Sequence, residues 1–202
     1  YKYVTTGDKG ETIALATYGE IFSITRQAII NDDLNALTDV PAKMGRAAKA
    51  TIGDLVYAIL LDNPKLSDGK PLFHADHKNL SSGAISVSSI DDARKLMRLQ
   101  KEGDRTLNIR PAYMLVPVGL ETLANQTIKS ASVKGADINS GINNPIQNFA
   151  EVISEPRLDH KDPNAWYLAA AKGTDTIEVA YLNGVDTPYI DQQEGFNTDG
   201  IA

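Results

Sequence analysis

Residues 74–77, His-Ala-Asp-His, form the one cluster in this 202-residue chain whose types and spacing suggest a chemistry. On a helix, a three-residue spacing places the imidazoles of His74 and His77 on one face, with Asp76 offering a carboxylate oxygen. Such a set would suit a divalent metal that activates water, as in a metal-dependent hydrolase. The remaining histidine, His160, stands beside Asp159 in a polar stretch, and a closed metal site needs four ligands held by outer hydrogen bonds. The cluster is also flanked by Gly69, Pro71, Ser81, Ser82 and Gly83, so it reads as a loop. Structural hydrogen bonding is the better reading of its imidazoles.

Other chemistries fare no better. Gly-x-Ser-x-Gly is absent, and the glycine-flanked Ser140 lies in the least structured-looking segment, a poor place to hold a nucleophile. Asp32 and Asp33 are adjacent. On a strand they would face opposite sides, and in a turn they would cap it rather than share a proton. Neither GxxxxGK[ST] nor GxGxxG occurs, so a nucleotide site has no support. The expectation is no catalytic residue, no cofactor and no metal ligand: not an enzyme.

Composition sets the outer bounds. Hydrophobic residues make up 42% and charged residues 23%, ordinary for a soluble globular protein, and the length allows one large domain or two small ones. No apolar run approaches the ~20 residues of a membrane span, and no secretory-type leader is visible. The chain begins at Tyr1 and stops at Ala202 in mid-pattern, so both ends are expected to be cut. Zero cysteines exclude disulfides and thiolate metal sites. A net charge of −6 argues against sequence-independent binding to phosphate backbones. The charge is uneven: residues 64–130 hold ten Lys/Arg against seven Asp/Glu, and residues 131–202 hold four against eleven. A solvated surface explains this simply, and docking of unlike faces between identical subunits explains it more sharply.

The elements that must position these residues are legible in part. Residues 1–20 alternate weakly, with Gly7, Gly10 and Gly19 as turns, and a strand is expected over 22–30. An isolated hairpin is marginal in water, so this arm needs a surface to lie on, such as a neighbouring chain. Thr38-Asp39-Val40-Pro41 reads as a helix start, and Met44, Ala48, Ile52, Leu55 and Ile59 recur on one face. Gly45 and Gly53 each cost about 1 kcal/mol in a helix, which close approach of another backbone would offset. Asn63-Pro64 ends this helix after about 30 Å.

Ser89-Ile-Asp-Asp92 has the form of a helix cap, with Ala93, Leu96, Met97 and Leu99 behind it and Gly103 as the stop. Pro111-AYMLV is a short buried strand, and a helix follows from Pro117 to Ser130. Residues 132–148 form a long Gly/Asn/Ser-rich loop of a length that is usually functional or disordered. FAEVIS, WYLAAA and TIEVAYL are three further strands, and an acidic tail closes the chain. The class is α+β.

Three strings carry a family likeness: ITRQAIINDDLNAL, the VPAKMGRAAK helix, and GKPLFHADHKNL. With NIRPAYMLVPVGLETLA and the late GFNTDGIA, they resemble the major capsid (head) proteins of tailed phages and prophages. More narrowly, they resemble the Mu-type major head subunit, often encoded with a prohead protease. The resemblance covers most of the chain. It implies the Hong Kong 97-type capsid fold, with an extended loop (E-loop) over residues 1–25. A peripheral domain would span 26–73 and 190–202 with a spine helix at 40–61, and an axial domain with a mixed sheet would span 74–189. The N-terminal arm and the final peripheral strand of that template would lie outside the chain.

The implied work is self-assembly into an icosahedral shell around a genome, in pentamers and hexamers. Portal, scaffold and prohead protease are further implied partners, and no membrane or sequence-specific nucleic-acid binding is implied. The implied location is the virion, assembled in the host cytoplasm. A bacterial encapsulin-like nanocompartment shell is the alternative, and a hydrolase using His74, Asp76 and His77 the more distant one.

Overall fold

In a computed structural model, residues 16–19, 24–25, 39–133, 142–173, 177–189, 191 and 200–201 are described. The chain divides into two compact units, Tyr1–Val56 with Val179–Ala202, and Tyr57–Glu178. In the first unit, β1 (Ile24–Thr25) pairs antiparallel with β9 (Gly200–Ile201), so the two halves of this unit meet through backbone hydrogen bonds. Of the strand expected over 22–30, only β1 lies among the described residues, as do none of Ser140, Asp32 and Asp33.

Helix α1 runs Val40–Asp62, one residue beyond the expected end. Pro41 fits its first turn, where a missing N–H costs nothing. Its stop is local: Asn63 adopts φ 47, the left-handed position that asparagine tolerates, and Pro64 cannot continue the helix. The apolar stripe is not buried as a stripe. Leu60 is the helix's buried residue and Leu55 is 40% exposed. A Cβ at Gly45 would meet nothing within 4 Å, so close backbone approach inside the described chain is not what offsets this glycine.

The second unit is built on a three-stranded sheet in the order β7-β4-β8. The central strand β4 (Pro111–Val116) pairs parallel with β7 (Glu151–Ser154) and antiparallel with β8 (Tyr167–Ala170), giving the expected mixed sheet. Met114 and Val116, two apart on β4, point the same way into the core and are fully buried. Helix α3 (Glu121–Lys129) meets them with Ala124 and Ile128, four apart on one helical face. Ile85, Ile90 and Ile146 complete the cluster, with Phe149, Val152, Trp166 and Leu168 packed around it.

Helix α2 (Val87–Arg98) begins earlier than its sequence suggests. The capping side chain is Ser86, whose Oγ accepts from the Ser89 amide while Ser89 Oγ accepts from the Ser86 amide. Ser89 thus closes a capping box from within the helix instead of opening one, a motif worth about 1 kcal/mol. Leu99, expected on the apolar face, is 64% exposed beyond the helix end. Gly103 ends no helix. It leads the two-residue turn between β2 (Lys101–Glu102) and β3 (Arg105–Thr106), where φ is +60.

The expected long loop is bracketed by a short antiparallel pair, β5 (Ser132–Val133) with β6 (Ile142–Asn143). Its last part is core: Ile146 is fully buried and Asn144 nearly so. Of the three late strands, two form. The third, TIEVAYL, does not: its described residues 177–182 form no ladder, and Val179, Tyr181 and Leu182 are exposed. β-Branched and aromatic composition makes a strand only when a partner and a buried face exist.

Candidate functional site

The loop that follows α1 gathers every sequence-flagged residue of the His-Ala-Asp-His cluster, and it is held from both ends. The Asn63 side chain closes it like a backbone pair, accepting from the Phe73 amide at 2.7 Å and donating to the Phe73 carbonyl at 3.2 Å. Inside, the Leu72 amide donates to the Pro64 carbonyl and the Leu66 amide to the Lys70 carbonyl. Gly69, at φ +79, takes the tight turn between them. Gln100 then ties the loop to the start of the β2–β3 hairpin, donating to the carbonyls of His77 and Lys78 at 3.0 and 2.9 Å.

The two imidazoles come together, with ring centroids 5.9 Å apart, but on a single 3-10 turn, Ala75–His77, and not on a long helix. Several of the cluster's polar atoms already have partners within the loop. Asp76 Oδ2 pairs with Lys70 Nζ at 2.7 Å, and His74 Nδ1 accepts from the Asp76 amide at 3.2 Å. His77 Nε2 lies 2.9 Å from Asp68 Oδ2, and its Nδ1 lies 3.0 Å from the Leu72 carbonyl oxygen. Among the described residues no group of three His, Cys, Asp or Glu side chains could hold a metal. A hydrolase reading of His74, Asp76 and His77 would have to break this network to assemble its ligands.

What the arrangement does instead is electrostatic. A carbonyl and a carboxylate, both acceptors only, face the two ring nitrogens of His77, and a neutral imidazole can donate to just one of them. The cation satisfies both. Asp68 first, and then the Leu72 carbonyl, raise the His77 pKa above the ordinary histidine value. In return the hydrogen bond from His77, followed by that from the Lys70 amide, lowers the Asp68 pKa. The stabilisation from His77 is therefore full below the unfolded value of about 6.5 and is lost as pH rises through its raised folded value. That from Asp68 is present above its unfolded value and is lost as pH falls through the lowered one. Asp68→Asn should bring the His77 titration back down toward an ordinary histidine, read by NMR of the ring protons. An unmoved titration would show that Asp68 is not the partner.

The other flagged residues are structural. Asp159, beside His160 on the 3-10 turn Pro156–His160, accepts from the Val118 amide at 2.9 Å, fixing the turn after β4. Trp166 at the head of β8 donates its indole N–H to the Gly83 carbonyl at 3.0 Å. The end of α1 is held by Tyr167, whose hydroxyl donates to the Leu60 carbonyl at 3.4 Å, and by Arg157, whose guanidinium lies over the Tyr57 ring. Between the loop and the β2–β3 hairpin lies an open cleft of about 450 Å³, with Leu66, Leu72 and Leu99 as apolar walls and Lys78 and Lys101 beside them. No helix among the described residues is long and apolar enough to cross a membrane.

The second unit is mixed α+β, and the polar cluster that the sequence singles out ties its own loop together. The profile of the phage capsid protein family matches residues 10–202, and the chain belongs to that family. Its fold is that of a phage capsid protein, of the Hong Kong 97 type. It is similar to the capsid of bacteriophage JBD30, with a TM-score of 0.56 and 18% identity over 68% of this chain and 73% of that one. It is likewise similar to the JBD30 capsid decorated with minor capsid protein trimers, with a TM-score of 0.52 and 18% identity over 67% and 72%. No curated protein matches the chain at significance. The chain is a structural capsid protein, and neither the nanocompartment nor the hydrolase alternative is favoured.

Proposed function

We propose that this chain is the major head subunit of a tailed phage or prophage, closing by self-association into an icosahedral shell around the genome. The observation that carries this reading is the family match over residues 10–202, nearly the whole chain. The strings ITRQAIINDDLNAL and GKPLFHADHKNL further support the Mu-type branch. Residues 1–25 would act as the extended loop, 26–73 with 190–202 as the peripheral domain, and 74–189 as the axial domain. Pentamers and hexamers require each subunit to match one face to a different face of its neighbour. The uneven charge along the chain suits such head-to-tail docking. Portal, scaffold, prohead protease and a trimeric minor capsid protein are the further partners of this reading. The subunit carries no catalysis, is assembled in the host cytoplasm, and ends in the virion.

Electron microscopy and sedimentation of the expressed chain, across salt and concentration, test it. Rings or shells of repeated subunits are expected. Monodisperse monomers under every condition would overturn the reading.

A further inference from the structure

We propose that the cleft between the post-α1 loop and the β2–β3 hairpin receives the 178–189 segment of a second copy of this chain. The inference rests on the shell reading and names one of its contacts. The cleft offers apolar walls from Leu66, Leu72 and Leu99, the last 64% exposed, in a volume of about 450 Å³, enough for two or three side chains. Lys78 and Lys101 line it, both exposed, and neither makes an ion pair among the described residues. The acidic group in its wall, Asp76, is already neutralised by Lys70. The cleft is therefore cationic, with three leucines set among polar residues that include Asn79 and Gln100.

The 178–189 segment has the opposite character. It contains Glu178 and Asp186 and no Lys or Arg, so its charge is wholly negative. It presents Leu182, Val185 and Tyr189 at 63%, 60% and 86% exposure, a dense run of large apolar groups left in water. Its described part adopts neither α-helix nor strand, only the 3-10 turn Leu182–Gly184, so its backbone is free of a ladder that docking would break. Apolar side chains entering the cleft while Asp186 and Glu178 meet Lys101 and Lys78 would bury the first and pair the second. The cleft and the segment are different surfaces, so the contact can pass head to tail from copy to copy, as a ring requires.

The chain has no cysteine, which makes cross-linking free of background. Leu99→Cys and Val185→Cys are placed on separate chains, mixed and oxidised. A disulfide-linked dimer is expected in the mixture and not in either variant alone. In parallel, Lys78→Glu/Lys101→Glu should cut the yield of assemblies by about tenfold or more, and adding Asp186→Lys should restore part of it. Circular dichroism of each variant checks that the fold is kept. Assemblies that form without the mixed cross-link, or that ignore the charge reversal, overturn this contact and leave the shell reading standing. A mixed cross-link without assemblies supports the contact and overturns the shell. Neither cross-link nor assemblies overturns both.

Discussion

Met114→Ala should lower the stability of the second unit by about 3 kcal/mol, within the 2–5 kcal/mol typical of such core truncations. Met114 is fully buried at the middle of the central strand, with Val152 beside it on one flank and Leu168 on the other. Ala124 and Ile128 belong to the same cluster and come from α3, so the space left behind lies between that helix and the sheet. The thioether's lost transfer energy and the residual cavity therefore add. Urea unfolding monitored by the Trp166 fluorescence would read the change as a shift in midpoint at nearly constant slope. A loss below about 1 kcal/mol would mean that the site collapses freely, contrary to close packing.

The second large effect is expected at Asn144. Its side-chain amide donates to the carbonyls of Thr127 at 2.7 Å and Ser130 at 3.0 Å, and its carbonyl accepts from the Ile146 amide at 3.1 Å. These carbonyls belong to the C-terminal end of α3, whose last four carbonyl groups have no partner within the helix. One buried side chain thus caps a helix and turns the chain so that Ile146 can enter the core. Asn144→Ala leaves buried groups unpaired at about 1–3 kcal/mol each and should cost about 3 kcal/mol in total. Asn144→Asp should cost more at neutral pH. It replaces the donor with an anion facing carbonyl oxygens at the negative end of a helix. Folding then favours the protonated carboxyl, raising its pKa. The ionisation penalty is absent below the unfolded value of about 4 and grows as pH rises through it. Urea midpoints of both variants at acid and neutral pH measure this. An aspartate variant equally stable at both would refute the capping role.

Asn144 also shows where the sequence stops being legible. A lone asparagine in a run of Gly, Asn and Ser looks like loop filler. Its importance depends on where the carbonyls of α3 end, which no local pattern encodes. Ile146 escaped for a related reason, since periodicity needs several apolar residues and the turn supplies one. By contrast, α1 and β4 were readable because their signals are covalent and local. Pro41 starts the helix, Asn63-Pro64 stops it, and Pro111 leads an apolar run of strand length. The start of α2 misled because Ser86, Ser88 and Ser89 all suit a cap, and only geometry selects Ser86. TIEVAYL misled in the opposite direction, having strand composition without a neighbour to pair with.

The flagged cluster and the structural reading of its imidazoles were legible in the sequence, and the partners that hold it were not. His74, Asp76 and His77 do sit together, but Asp68 and Lys70, which settle what they do, are distinguished by nothing in the sequence. Three residues in reach of one another are only a candidate. Which lone pairs remain unspent decides the chemistry.

The sheet's connectivity also bears on the order of events as the polypeptide emerges. Residue 114 finds its two neighbours at 152 and 168, so the middle strand is made first and waits for both flanks. Local turns such as α3 need no such delay, whereas distant pairings must first close a long span of chain. Translation therefore has to pass Ala170 before the sheet is whole, and until then the buried Met114 lacks one of its flanks.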